Sequence, residues 1–421
     1  MRILLVSYIF QPEPSFVRGL AFARELVNRG HDVHVLTGFP NYPSGRIYEG
    51  YRLRWTQLER VAGVPVTRVA LYPSHDRSGM RRSLSYISLA LSEAAHALAF
   101  KDRFDISHVY LGPVTQLWPA QLLRRLHGTR VIADVQDLWP ESVLNSGMMK
   151  SRLIGRALEW ECGRAYRSAD KLIAISNGYR RELLDRGVSA EKVAVLHNWY
   201  DETAGQSPSV PRNILRDDHF NVLYTGNFGK FQGLDNVLDA AKQLGTQPSP
   251  RPIHFALVGS GVEAERLAHR VRAEHIRNVT IAGPVSIADS NSLLEAADLL
   301  LLHLEPSKLT RVGIPQKLQA YLAAGRPILV AAEGDVVELF MESGAGRSCP
   351  AGDPSDLAEL VLEFARLDRR SLDTLGANGR LFYERNLSFK AGVDRFEAIC
   401  DGVLADGARS PADRANGGQK R

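Results

Sequence analysis

Ile314-Pro315-Gln316-Lys317-Leu318-Gln319-Ala320-Tyr321-Leu322-Ala323-Ala324-Gly325-Arg326-Pro327 is the stretch on which the reading of this chain turns. Pro315 suits a first helical position, so the unpaired backbone N–H groups that follow it point out of the helix start, and Lys317 adds a full positive charge there. That combination predicts an anion site. Gly325 closes the helix, and Pro327 begins an apolar run to Ala332 that reads as a buried parallel strand. A helix with a merely solvated lysine is the plain alternative.

Working outward, the same strand-then-helix grammar recurs along the whole chain. In the first half, runs at Arg2–Phe10, His31–Thr37, Ile106–Leu111, Arg130–Val135, Lys171–Ser176 and Val193–Leu196 alternate with helical stretches. One such helix spans Phe16–Arg29, with Ser15 as its N-cap and Gly30 as its stop. The second half restarts at Phe220–Thr225 and continues with strands at Ile253–Val258, Val279–Ala282, Asp298–Leu304 and Pro327–Ala332. Helices are expected at Leu234–Leu244, Glu263–Glu274, Ile287–Ala297 and Asp335–Ser343. This alternation predicts an α/β protein of two Rossmann-like, doubly wound parallel-sheet domains. The expected division is 1–200, a linker at 201–218, a second domain at 219–386, a helix at 387–404 that can return to the first domain, and a disordered tail at 405–421.

Length and composition agree with two globular domains: 421 residues, 44% hydrophobic and 24% charged. No run is long enough to span a bilayer, and Met1–Phe10 reads as a first strand rather than an export signal, which predicts a cytoplasmic protein. Cys162, Cys349 and Cys400 lack metal-ligand spacing and read as packing residues. A net charge of +5 favours anionic partners without choosing among them. The basic residues form no continuous stripe with a nucleic-acid reading motif, so no nucleic-acid partner is expected. Arg52, Arg54, Arg60, Arg77, Arg81, Arg82, Lys101 and Arg103 gather around aromatic residues. The apolar but interrupted segment Ser83–Phe100 then fits either a helix lying in a membrane interface or an internal helix with a solvated basic flank.

Ligands of doubly wound sheets sit beyond the carboxyl ends of the strands, which directs attention to four loops of the second half. Gly226-Asn227-Phe228-Gly229-Lys230 follows its first strand, Gly259-Ser260-Gly261 the second, Gly283-Pro284-Val285 the third, and Glu305 to Pro315 the fourth. Their glycines let backbone approach a phosphate, and Lys230 can neutralise it. No dinucleotide fingerprint follows either first strand and no Walker lysine is present, which weighs against hydride transfer and ATP hydrolysis.

Val222-Leu223-Tyr224-Thr225-Gly226-Asn227 with Gln232-Gly233-Leu234, Leu257-Val258-Gly259-Ser260-Gly261, and Leu309-Thr310-Arg311 through Pro327 together resemble the retaining family 4 glycosyltransferases with the GT-B fold, two such domains facing a cleft. Gln136-Asp137-Leu138-Trp139-Pro140-Glu141-Ser142, His197-Asn198-Trp199 and Gly38-Phe39-Pro40-Asn41-Tyr42-Pro43 are similar to the branch that builds O-antigen, capsule and colanic-acid units with fucosyl or N-acetylfucosaminyl donors.

The resemblance implies a nucleotide sugar in the second domain, UDP-linked first and GDP-linked next. It implies a polyprenyl-diphosphate-linked saccharide acceptor against the first domain, at the inner face of the cytoplasmic membrane. It also implies retention of anomeric configuration without a protein nucleophile. The family's usual glutamate pair falls at Val312 and Ala320, leaving Glu305 as a substitute, and the usual cations of the first glycine loop are Asn227 and Gln232. Lys317 is thus the matched cation for the diphosphate, with Lys230 or Arg311 as helpers. Gln136 replaces a histidine near the donor sugar. Asp137 can orient the acceptor hydroxyl or simply cap the next turn. His108 reads as a core histidine or a substrate contact, and Arg18 as a phosphate contact or a solvated arginine. No metal or other cofactor is expected. A sugar-nucleotide epimerase and a non-catalytic nucleotide-sugar-binding protein remain as alternatives.

Overall fold

The computed structural model describes residues 1–14, 17–74, 79–100, 103–139, 152–200, 202, 205 and 213–408. The chain folds into two compact units, one formed by 1–197 with 393–421 and the other by 198–392. The first unit carries eight strands: β1 (Arg2–Ser7), β2 (Asp32–Gly38), β3 (Thr56–Val61), β4 (Val64–Val69), β5 (Ile106–Leu111), β6 (Arg130–Val135), β7 (Lys171–Ala174) and β8 (Val193–Val195), in the spatial order β3-β4-β2-β1-β5-β6-β7-β8. Every pairing is parallel except β3 with β4. The reversal of order at β1 is the switch point at which doubly wound sheets bind ligands. β1, β5 and β6 are buried along nearly their whole length because helices cover both faces.

The second unit holds six parallel strands, β9 (Phe220–Asn227), β10 (Ile253–Ser260), β11 (Val279–Ala282), β12 (Leu299–His303), β13 (Ile328–Ala331) and β14 (Gly346–Cys349), ordered β11-β10-β9-β12-β13-β14. Its switch point is β9. One face packs Val237, Leu238 and Phe364 from covering helices against Val222, Phe255 and Leu301, and the other packs Tyr321, Leu322 and Phe340 against Leu223, Leu300 and Val330.

Several expectations are corrected. The first helix is Leu20–Asn28 with Gly19 at its N-cap, so Arg18 precedes it, while Ser15 and Phe16 lie outside the described residues. The hairpin β3–β4 and the edge strand β14 were not anticipated. Pro315 is the N-cap of helix Gln316–Ala324, not its first residue, which makes Lys317 the second residue of the helix instead of the third. The final helix, Phe389–Ala408, continues past 404 into the segment expected to be a disordered tail; residues 409–421 lie outside the described residues. Most of the expected linker, with Pro140, Glu141, Ser142, Arg77 and Lys101, also lies outside them.

From Val393 onward the final helix packs in the first unit. Phe396 meets Phe22 and His108 edge-on, Arg29 pairs with Asp394 and Glu397, and His31 lies 2.7 Å from Glu397.

Candidate active site

At the carboxyl end of β9 the ladder with β10 runs on into the glycines, pairing Gly226 with Gly259 and Asn227 with Ser260. The backbones are pressed together there: a Cβ on Gly259, whose φ is +151°, would lie 1.8 Å from the Gly226 carbonyl oxygen. Only glycine fits. Above this floor stands Lys317. Its Nζ would lie 3.3 Å from a Cβ on Gly226, so the ammonium covers that backbone directly. Helix Gln316–Ala324 is held in place by the buried Tyr321, whose hydroxyl accepts the Thr225 N–H at 2.9 Å, and it ends on Gly325 in the left-handed region.

The Lys317 ammonium donates to the Tyr224 hydroxyl at 2.7 Å and lies 3.9 Å from the centre of that ring. Tyr224 in turn donates to the Asn227 carbonyl at 2.7 Å, tying lysine and glycine loop together. No carboxylate among the described residues pairs with Lys317. The side chain keeps partial access to solvent, but the surrounding protein strips most of its hydration, and this burial pulls its pKa down to about 7. Next to it His303, at the end of β12, donates its Nδ1–H to the Gln232 carbonyl at 2.8 Å. Burial, with the Lys317 charge adding to it, drives that imidazole to about 4, so it is neutral. A poorly hydrated ammonium over a glycine floor favours the approach of an anion.

Beside this lies a cavity of about 260 Å³ lined by Gly229, Lys230, Gly233, Glu263, Arg266 and Glu305 among others. Gly233, at φ +58°, admits no side chain, since a Cβ would meet Glu305 Oε1 at 2.5 Å and His303 Cε1 at 2.7 Å. Asn236 donates weakly to Glu305 at 3.4 Å, and Lys230 is exposed at the rim. The structure therefore brings Gly226, Asn227, Gly229, Lys230, Gly259, Glu305 and Lys317 to one end of the sheet. Gly283 and Val285 follow the edge strand β11, with open space around Gly283. Arg311 is exposed and pairs with Glu333 at 2.8 Å.

In the first unit Asp134 organises what sequence reading kept apart. Arg18 Nε lies 2.5 Å from its carboxylate, both side chains fully buried; His108 lies 3.2 Å away, and the Gln136 amide donates to it at 2.7 Å. Burial alone would raise the Asp134 pKa, but the Arg18 guanidinium and then His108 and Gln136 hold it below the usual carboxylate range. Arg18 is thus neither a phosphate contact nor a solvated arginine, and His108 is a satisfied core histidine. Asp137 stays exposed near Tyr8, Tyr110 and Tyr179, with partial burial raising its pKa.

Sequence reasoning missed Tyr224, His303 and Glu13. The buried Glu13 accepts backbone N–H groups of Phe10, Asn41 and Tyr42 and so fixes the loop after β2. The one available signal for Glu13 was an acidic residue in Gln-Pro-Glu-Pro directly after a strand; for Tyr224 and His303 it was a polar end on an otherwise apolar strand.

Two mainly parallel α/β sheets, the second with a lysine over a glycine floor at its switch point, define a glycosyltransferase of the GT-B fold. Residues 17–199 match the family described as glycosyl transferase 4-like domain and residues 219–366 the family described as glycosyl transferases group 1, so both domains of the chain belong to glycosyltransferase families. WcaI of Escherichia coli, named for colanic acid biosynthesis as a glycosyl transferase, is 28% identical over 81% of this chain and 86% of its own length. WbjE of Pseudomonas aeruginosa, named as a glycosyltransferase, is 26% identical over 78% and 82%. Among solved structures, Anabaena HepE in complex with UDP superposes with a TM-score of 0.67 at 15% identity, covering 96% of this chain and all of that one. Sucrose-phosphate synthase of Thermosynechococcus elongatus gives 0.65 at 18%, covering 96% and 100%.

Proposed function

We propose that this glycosyltransferase moves a sugar from a UDP-linked donor, with an N-acetylated deoxy sugar of the fucosamine type as first candidate, to a lipid-linked saccharide at the cytoplasmic membrane during assembly of a bacterial surface polysaccharide. The observation that carries the donor half is Lys317, held by Tyr224 over Gly226 with no carboxylate partner among the described residues. Departure of the nucleotide puts negative charge on the β-phosphate, and a fixed cation beside helix-start N–H groups stabilises it. The acceptor hydroxyl attacks C1 as the C1–O bond to the diphosphate breaks on the same face, its proton passing to the departing β-phosphate oxygen, so configuration is retained and no protein carboxylate becomes covalently attached. Charge neutralisation by Lys317 lets the reaction proceed without a metal.

The names of WcaI and WbjE support the polysaccharide assignment, and HepE with bound UDP supports the nucleotide. A thermal-shift series with UDP, GDP, CDP and dTDP, each with magnesium or with EDTA, should show UDP raising the melting point most, equally in both. Incubation with UDP-sugars and a lipid-diphosphate saccharide should then yield extended acceptor. Isomerised donor without transfer would make the protein an epimerase, and binding without turnover a non-catalytic subunit, the outcome that Val312 and Ala320 in place of glutamates would favour.

A further inference from the structure

Successive side chains of β9 point to opposite faces of its sheet. Tyr224 belongs with Val222 and Phe228 to the core on one face, whereas Leu318, Tyr321 and Leu322, on the helix that carries Lys317, belong to the core on the other. The lysine therefore reaches from a helix on one face to a tyrosine on the opposite face, across the end of the strand. A Cβ on Gly226 would meet the lysine Cε at 3.4 Å as well as Nζ at 3.3 Å, so the end of the side chain lies flat over that glycine.

A four-carbon stem does not keep such a course unaided, because its rotamers are many and its ammonium is better hydrated in open water. Among the described residues the hydrogen-bond partner that fixes Nζ is the Tyr224 hydroxyl, at 2.7 Å, with the ring centre 3.9 Å away. The hydroxyl proton is itself committed to the Asn227 carbonyl at 2.7 Å, so its oxygen accepts from the lysine and the bonds run in one direction from ammonium to loop backbone. That loop is clamped in turn: Phe228 donates its N–H to the Ser260 carbonyl at 2.7 Å, and its carbonyl accepts the Glu263 N–H at 2.9 Å. Tyr224 is fully buried, and this burial, with Tyr321 adding to it, raises its pKa above the ordinary phenol value, so it is neither an acid nor a base for the substrate.

We propose that Tyr224 is a positioning residue for sugar transfer: its hydroxyl locks the Lys317 ammonium across the end of β9 and ties it to the glycine-loop backbone, so that cation and loop meet the donor diphosphate as one preassembled unit. This rests on the donor reading given under the proposed function. A cation already held in place stabilises developing charge without first having to be ordered.

The experiment compares the parent chain, Tyr224→Phe, Lys317→Gln and the double variant, with UDP as the probe. Tyr224→Phe keeps the ring and its contact with Phe228, and its melting temperature without ligand reports the fold. UDP affinity by calorimetry at neutral pH should fall about tenfold in Tyr224→Phe, and in the double variant should fall no further than in Lys317→Gln alone. Freed of its lock, the ammonium turns toward water and its pKa returns toward the ordinary lysine range, so the proton uptake that accompanies UDP binding at pH 8 should shrink. The titratable groups around it, Tyr224 on β9, His303 on β12 and, next to Tyr224, Tyr321 on its own helix, all stay neutral between about pH 6 and pH 9, which leaves the lysine as the group on this site that takes the proton. A second reading needs no change at Tyr224: with lysines labelled by nitrogen-15, the signal that Lys317→Gln removes should exchange its protons with water more slowly than the other lysines. Unchanged affinity and uptake in Tyr224→Phe, losses that add in the double variant, or exchange as fast as at the other lysines would each overturn the lock and leave the donor reading standing. A parent whose melting point UDP does not raise would overturn the donor reading, and the lock with it.

Discussion

Lys317 owes its chemistry to what is missing around it. Tyr224 supplies a hydroxyl and a ring face but no charge, so the cost of keeping the ammonium ionised is offset only when an anion arrives. Replacing it by glutamine should therefore lower transfer by about 10²- to 10³-fold, with the fold intact by circular dichroism. Its pKa near 7 adds a sign that can be measured. Above pH 7 the free site is largely neutral, and a diphosphate favours the charged form. UDP binding at pH 8 should take up protons, and affinity should fall as pH rises past neutrality. Calorimetry in buffers of differing ionisation enthalpy reads the uptake, which Lys317→Gln should abolish. The same deprotonation relieves the burial cost, so the lysine contributes a rise in folding stability between its folded value and the ordinary lysine range.

At the scale of elements, the joined ends of β9 and β10 are the tightest place in the site. Gly259→Ala would drive a methyl into the Gly226 carbonyl and should cost about 2 kcal/mol or more by denaturant unfolding. Gly283→Ala, where nothing lies within 4 Å, should stay within about 0.5 kcal/mol. The cluster that joins the approach to the first helix with β5 and β6 is equally demanding. Asp134→Asn leaves the Arg18 guanidinium buried without its counter-charge and should cost about 3–5 kcal/mol. Because its folded pKa lies low, the stabilisation from Asp134 is full above the unfolded carboxylate value and is lost as pH falls through the folded one.

These elements also show where sequence was legible. β5, β6 and β11 were placed to the residue, because each is a mainly apolar run bounded by polar or turn residues. In β3 exposed and half-buried residues alternate along an edge, and β14 is Gly-Arg-Ser-Cys, whose strand state comes from parallel pairing with β13 rather than from its own composition. Lys317 was visible because helix-start chemistry is local. Arg18 and His108 were not recognisable as partners of Asp134, since three separate segments converge there only in the folded sheet.

On the scale of the whole molecule, the final helix binds the chain's end to its beginning. Phe396 fills the gap between Phe22 and His108, so Phe396→Ala should destabilise the first unit by about 3–5 kcal/mol, seen as an early unfolding transition that UDP does not shift.

The path of the chain through its two units carries one more consequence. Since it crosses over after His197 and crosses back after Gly392, the second unit is an insertion within the first. A gene fragment encoding 198–392 is thus a candidate for an excised, self-contained module, whereas one stopping at 197 would leave the Phe22 side uncapped. Obtaining the other half on its own calls for a splice that joins His197 to Val393 through a short spacer.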